Sequence, residues 1–439
     1  MKDFNFAKRL YEIRKNAGMS QGEFASALGI TNKAVSKWEN AQSTPSIQQV
    51  IKISEIFNIS IDQILKDSQK KEKKIYKIAI TGGPCSGKST ALSYLQEILA
   101  QKGYAPLIVS ESASELILGG ISYKTIDTNQ NFESYIMKLQ IQKEKVYEEA
   151  AKHLANANKV VILCDRGIMD CKAYSTDLQF KQSLDSMKLN EISLRDSYDA
   201  VFHLVTAAIG AEKFYTLQNN KARFESPELA IEKDRATLKA WMGHPHLRVI
   251  DNSTDFAGKM HRLKSEILNV IGEEGNFEIE RKFLIEYPNI KQLEKMENCQ
   301  KVDIIQTYLL SNDGQEIRIR QRGQNGNFTY YKTTKQNISK MKRLETEKRI
   351  SKDEYINLLL NADTNKRQIV KTRYCLMHQN QYFEIDIYPF WNKFAIMEIE
   401  LRDENQKIHF PKQIKIIKEV TGDENYTNYA IASNKDIKI

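Results

Sequence analysis

At 439 residues the chain exceeds one ordinary domain and, at the usual 100–200 residues apiece, has room for about two to four. Hydrophobic residues make up 41% and Gly and Pro supply only 19 and 8 positions, which excludes a disordered, collagenous or low-complexity chain. A net charge of +9 favours polyanionic partners such as nucleic acid or phosphates, while five scattered cysteines with no C-x-x-C pair exclude a disulfide framework or a zinc site and fit a reducing cytoplasm.

The start, MKDFNFAKRL, lacks the apolar core of a signal peptide, and no apolar run reaches the ~18 residues of a membrane helix. The expectation is a soluble cytoplasmic protein that is not exported and has no membrane partner. Two seams divide it, the Lys-rich KDSQKKEKK at 66–74 and IGEEGN at 271–276, giving segments of about 1–67, 75–272 and 275–436. The fold class expected is multidomain: an all-α helix-turn-helix, an α/β P-loop parallel sheet with flanking helices, and an antiparallel β tunnel barrel of α+β type.

Residues 1–67 carry five short amphipathic helical patterns. Ser20 with Glu23 three residues on forms a capping box, Gly29 supplies a left-handed stop, and Thr31 starts the next helix. Two helices joined by a short Gly-containing turn make a helix-turn-helix. Ala25, Ile30, Val35 and Trp38 point inward, leaving Gln21, Asn32, Lys33, Ser36 and Lys37 for DNA, because amides suit adenine edges and ammonium groups suit guanine or phosphate. The string SQGEFASALGITNKAVSKWENAQSTPS resembles the Xre or phage-repressor type of DNA-binding domain, which implies double-stranded DNA as partner. With nine Lys/Arg against seven Asp/Glu the segment has little excess charge for phosphates, so a homodimer on two half-sites is the natural arrangement.

In segment two the apolar IYKIAI runs into TGGPCSGKST and then the helical ALSYLQEILA, the strand-loop-helix setting of a phosphate loop. Gly82, Gly83 and Gly87 let backbone N–H groups converge on phosphate oxygens, Lys88 reaches the β and γ groups, and Ser89, with Thr90 beside it, stands at the helix start where a hydroxyl binds Mg²⁺. ATP or GTP is the ligand class. APLIVSE, KVVILCDRG, AVFHLV and LRVIDN read as further strands of a parallel sheet buried on both faces. Asp165 ends one and is placed to hold Mg²⁺, with Arg166 next to it; Glu111 ends another, as a base toward an acceptor hydroxyl or as a helix cap. Arg223, just before the helix start Ser226-Pro227-Glu228, reads as an arginine offered to phosphate or as an ordinary surface residue. His244 and His246, without further ligands nearby, read as structural, and Cys85 as loop filler.

TGGPCSGKST, CDRGIMDCKAYS and RFESPE…WMGHPHLRVIDN together resemble the kinase-like AAA-type ATPases of the TRPL translocation defect family and, more distantly, the ribosylnicotinamide kinase half of a bifunctional nicotinamide-nucleotide regulator. The resemblance implies nucleoside-triphosphate binding.

Segment three repeats one pattern. Alternate residues of short strands carry charge: Glu278, Glu280 and Lys282; Arg318, Arg320 and Arg322; Lys332; Arg343, Glu345 and Glu347; Lys371 and Arg373; Glu384 and Asp386; Glu398 and Glu400. About eight such strands close into a barrel with their charged faces inward, and a metal-bound phosphate chain satisfies both signs. E-x-E-x-K, R-I-R, R-L-E, E-I-D and E-I-E resemble the CYTH domain, the triphosphate tunnel fold of class IV adenylate cyclase and thiamine triphosphatase. That resemblance implies that Glu278, Glu280, Asp386, Glu398 and Glu400 bind Mg²⁺ or Mn²⁺, that Arg318, Arg320, Lys332, Arg343 and Arg373 hold the triphosphate, and that Lys282 and Glu345 serve cleavage. The whole reads as a DNA-binding, nucleotide-responsive protein, with a nucleotide-kinase-type enzyme or a non-catalytic sensor as the other readings.

Overall fold

In the computed structural model, residues 4–433 are described except 58, 60, 62–63, 65–72, 216–225, 274–276, 312–314, 338–341 and 402–403. Two compact units divide the chain, Met1–Lys74 and Ile75–Ile439.

The first unit holds helices α1 (Phe4–Asn16), α2 (Gln21–Leu28), α3 (Asn32–Glu39) and α4 (Ile47–Phe57). Ser20 Oγ accepts the Glu23 N–H at 3.2 Å and Glu23 Oε2 accepts the Ser20 N–H at 2.7 Å, so two orphan donors are satisfied reciprocally where α2 begins. Gly29 ends α2 at φ 64°, and Thr31 caps α3. Leu10, Phe24, Val35, Trp38 and Ile53 form the core between the helices. The fifth helix expected here falls largely outside the described residues.

In the second unit β1 (Lys74–Thr81), β2 (Ala105–Val109), β3 (Lys159–Asp165), β4 (Ala200–Leu204) and β5 (Leu247–Ile250) form a sheet in the order β2-β3-β1-β4-β5. Strand alternation sends Ala79, Val160 and Ile162 into one apolar cluster and Ile78, Ile80, Val161 and Leu163 into another, so the sheet is covered on both faces. The carboxyl ends of the central strands are left as the edge where ligands bind in such sheets.

Residues 277–419 build the second sheet: β6 (Phe277–Glu286), β7 (Cys299–Tyr308), β8 (Glu316–Gln324), β9 (Asn327–Asn337), β10 (Lys342–Ile350), β11 (Ile369–His378), β12 (Gln381–Ile387), β13 (Phe394–Leu401) and β14 (Ile416–Glu419). The order is β10-β9-β8-β7-β11-β12-β13-β6-β14, and antiparallel pairing of β10 with the start of β6 closes eight strands into a barrel. Closure removes the sheet edges and gives the strands an interior. The seam expected at 271–276 separates the two sheets, yet both belong to one compact unit.

Candidate functional site

Three surfaces carry the candidate residues. On the first unit Asn32, Lys33 and Lys37 are exposed and Ser36 is half-buried. Gln21 is differently placed from expectation: its amide donates to Glu39 Oε2 at 2.7 Å, joining a buried pair in which Arg14 Nε and Nη2 reach the same carboxylate at 2.6 and 2.9 Å. Its side chain is half-buried and hydrogen-bonded to this pair.

The phosphate loop runs between β1 and the helix Lys88–Gln101. Gly82 has φ 137°, and a Cβ there would meet Leu204 O at 2.1 Å, so only glycine fits beside β4. Lys88 Nζ donates to Gly82 O, Gly83 O and Ser86 Oγ at 2.9, 3.0 and 3.2 Å. Burial first, then the nearby Arg166 guanidinium, lowers this ammonium to about 8. Ser89 and Thr90 are exposed at the helix start. Asp165 keeps a buried Oδ1 with no hydrogen bond, and burial raises its pKa. An orphaned carboxylate oxygen is the donor chemistry a hard divalent cation takes.

Glu111 departs from the base role. Arg166 Nε donates to its Oε1 at 2.5 Å, and although burial opposes ionisation, Arg166, Ser114 and Lys88 pull it down to about 2. So acidic a carboxyl is a weak base, and Glu111 serves Arg166 as counter-ion. It occupies the N-cap position of the helix Ser112–Leu118 without a side-chain capping bond.

Two residues here were not singled out from sequence. Asp234 accepts the Gly83 and Thr206 N–H groups, both at 2.9 Å, and lies 3.2 Å from His203, pinning the loop from the helix Pro227–Trp241. Glu133, buried in the long helix Asn129–His153, is pushed up to about 7 by burial, against Lys233 and Arg166. Neither stands in a recognisable spacing. Arg223 lies outside the described residues. His244 is buried, its Nδ1 accepting the His246 N–H at 3.0 Å and its pKa lowered to about 3 by burial, as a structural residue requires.

Barrel strands line a cavity of about 850 Å³ with Lys282, Arg318, Arg320, Lys335, Lys371 and Arg373 among bases and with Glu280, Glu347, Glu384, Glu398 and Glu400 among acids. Register puts these in contact: Glu398 stands opposite Lys282 and Glu384, and Glu400 opposite Glu280. Lys282 Nζ lies 2.6 Å from Glu398 and 3.3 Å from Glu280, while Arg373 Nη2 reaches Glu398 at 3.0 Å and its Nη1 bonds Glu384. Arg320 reaches Glu347 at 2.6 Å, and Thr333 Oγ1 donates to the same carboxylate at 2.8 Å.

Two expectations shift. Asp386 is fully buried and accepts from Lys371 at 2.5 Å and from Arg373 Nε and Nη2, both at 2.7 Å, which makes it the counter-ion that orients two bases instead of a metal ligand. Lys332 is absent from the cavity wall: Thr333 and Lys335 face inward on β9, so Lys332 falls on the other face, opposite Lys348. Arg322 lines the cavity as expected and also donates to Gly243 O at 2.8 Å. The side chains of Glu278, Arg343 and Glu345 lie outside the described residues.

The acids answer in part to a cation. Burial and then the Glu398 charge raise the Glu280 pKa, and Glu280 Oε1 is buried without a hydrogen bond. Glu398 is held well below the usual carboxylate range, since Lys282, Arg373 and Lys371 outweigh its burial. Among the described residues no three His, Cys, Asp or Glu side chains already converge on one metal position. The donor set suits Mg²⁺ or Mn²⁺ in kind.

Comparison with known proteins follows the same three parts. Residues 10–64 match the family model described as helix-turn-helix, 77–259 the AAA domain and 276–425 the CYTH domain. The chain is 35% identical over 71 residues to the HTH-type transcriptional regulator ImmR of Bacillus subtilis (strain 168), covering 16% of this chain and 56% of that one. It is 28% identical over 64 residues to the HTH-type transcriptional activator BcrR of Enterococcus faecalis, covering 15% and 31%. It thus spans between a third and just over half the length of these curated relatives. Among solved structures it is similar to the inorganic triphosphatase NE1496, 28% identical over 36% of this chain and 95% of that one with a TM-score of 0.25. It is also similar to the PH1012 protein of Pyrococcus horikoshii OT3, 18% identical over 29% and 80% with a TM-score of 0.22. No helix among the described residues is long and apolar enough to cross a membrane. From its amino end onward, the chain is a fusion of a helix-turn-helix domain, an AAA domain and a CYTH domain.

Proposed function

We propose that this is a cytoplasmic, DNA-binding regulator that responds to nucleotide and whose CYTH barrel binds and hydrolyses a triphosphate with Mg²⁺ or Mn²⁺. The observation that carries the reading is the barrel cavity, where acids and bases from seven strands share one space of about 850 Å³. Burying so many charges is costly unless a ligand meets both signs.

Arg318, Arg320, Lys371 and Arg373 would hold the phosphate oxygens, and Lys282, fixed between Glu280 and Glu398, would stand beside the chain where charge develops on cleavage. Glu280, Glu398, Glu400 and Glu278 would hold the cation. When bound, it polarises phosphoryl oxygens and offsets their charge. In the AAA domain Lys88, Ser89 and Thr90 with Gly82, Gly83 and Gly87 would bind ATP or GTP, with Ser89 and Asp165 toward Mg²⁺, and Arg166 near the transferring phosphate. A homodimer reading two half-sites through Asn32, Lys33, Ser36 and Lys37 would couple these states to double-stranded DNA.

The test incubates the full chain with Mg²⁺ or Mn²⁺ and tripolyphosphate, thiamine triphosphate, ATP or GTP, and follows phosphate release in wild type, Lys88→Ala and Glu280→Gln. Release from tripolyphosphate is expected to vanish in Glu280→Gln and to persist in Lys88→Ala; the reverse result removes the barrel as the enzyme. Footprinting with and without nucleotide tests the regulator: no protected DNA under either condition removes it.

A further inference from the structure

Part of the cavity wall does not belong to the barrel strands. Pro245, His246, Leu247, Arg248 and Val249 come from the AAA domain, at and before β5. Each polar one is tied to a barrel acid that a barrel base or carboxylate also engages. Arg248 Nη2 bonds Glu400 of β13, the residue opposite Glu280, and its Nε lies 3.8 Å from Glu266. His246 Nε2 lies 3.5 Å from Glu347, the carboxylate that Arg320 grips at 2.6 Å.

The segment is held firmly enough for these positions to be defined before a ligand arrives. The Gly243 N–H donates to Tyr382 Oη at 2.9 Å, and Gly243 O accepts from Arg322 Nη2 at 2.8 Å, so one residue is bonded to two barrel strands. Beside it Thr329 Oγ1 donates to the buried Asp196 Oδ2 at 2.8 Å, and Arg349 Nη1 donates to Asp196 O at 3.0 Å. Gly243 has φ 84°, and a Cβ there would come within 2.6 Å of Arg195 Nη1 and 3.0 Å of Gln300 Cγ. Next to Tyr382, the barrel holds the apolar cluster Val302, Ile304 and Cys375.

An arginine on the wall of an anion cavity, already oriented by Glu400, a carboxylate that a cation would claim, is placed to turn to phosphate when the cation arrives. A guanidinium suits that exchange because its planar fork can bond a carboxylate and a phosphoryl oxygen from different edges. We propose that the triphosphate cavity is a two-domain site, in which Arg248 and His246 of the AAA domain bind the phosphate chain of a linear triphosphate together with Arg318 and Arg320 of the barrel. The proposal rests on the reading of the barrel as a triphosphate site.

The experiment measures binding of tripolyphosphate with Mn²⁺ by calorimetry on the full chain, in a Lys88→Ala background so that the phosphate loop does not contribute. Arg248→Ala is expected to weaken binding about ten- to a hundredfold, as for loss of one charged hydrogen-bond donor, and Arg248→Lys to recover part of it. His246→Ala, which removes a half-exposed side chain and leaves the seam bonds in place, is expected to weaken it about three- to tenfold and serves as the second variant should Arg248→Ala not fold. A purely docking role for Arg248 would lower the unfolding temperature and leave affinity alone. Affinity within twofold of the parent in both alanine variants overturns the two-domain site while leaving the barrel reading intact. Failure of the parent itself to bind tripolyphosphate removes the barrel reading and this inference with it.

Discussion

Glu280 and Glu400 are cross-strand partners in the β6–β13 ladder, two like charges set side by side within the barrel. Such pairs destabilise a sheet, and here burial together with the Glu398 charge raises the Glu280 pKa. A carboxyl raised in this way contributes stability at low pH, where it is protonated, and that contribution is lost as pH rises through its folded pKa. Glu280→Gln is therefore expected to keep or raise the unfolding temperature at pH 7 while lowering metal-dependent phosphate release at least about a hundredfold. Scanning calorimetry alongside the phosphate assay checks both, and a stability loss as large as the activity loss would contradict it.

Lys88, lowered to about 8 by burial and Arg166, sheds its proton inside the range of ordinary buffers. Nucleotide affinity is expected to fall as pH rises from about 7 to 9.5, while Lys88→Arg, whose charge persists, is expected to show a flatter profile. Between about 8 and 10.5 the unfolded chain holds this proton and the free folded loop does not, so this group's share of stability rises with pH there. Opposite pH trends for affinity and stability, read by fluorescence titration and thermal melts, would identify Lys88 as the group concerned.

Gly82→Ala introduces a Cβ toward Leu204 O at a backbone φ of 137°, a conformation and a contact that alanine does not accept. The expected cost is about 1–3 kcal/mol, with loss of nucleotide binding and unchanged tripolyphosphate cleavage. Equilibrium binding of labelled nucleotide is the measurement.

Arg14 and Glu39 are 5% and 6% exposed and joined at 2.6 Å, so Arg14→Ala leaves a buried carboxylate without its counter-charge, bonded to the Gln21 amide. The expected loss is about 3–5 kcal/mol, confined to the unfolding transition of the first unit. Lys33→Ala leaves the fold untouched and is expected to weaken DNA binding at all sequences, reducing the salt slope by about one.

What the sequence disclosed follows from how local each signal is. The phosphate loop is legible because Gly82, Gly87 and Lys88 act through backbone geometry within eight residues, and the capping box of Ser20 and Glu23 is equally local. The barrel strands are legible through their period of two. YYKTTK defeats the same rule, since Lys332 and Lys335 have opposite parity and only the register with β10 decides that Lys335 faces in. Asp234, Glu133 and Arg248 escaped because their roles come from juxtapositions across long stretches of chain, where no spacing records them. Asp386 carried the right charge in the right strand, yet two adjacent bases claimed both its oxygens.

The closing of the barrel has a consequence for how the chain acquires its shape. β6 is the first barrel strand made, yet one edge awaits β13 and the other awaits β10 and β14. Until Leu401 has been synthesised, Ile279 has no neighbour on the β13 side, and the strand spends that interval with its amides open. Such distant pairing makes barrel completion a slow, late event. The AAA sheet, whose β1 to β5 are complete by Ile250, is able to form first and offer the Gly243–Arg248 segment as a template on which the final strands assemble.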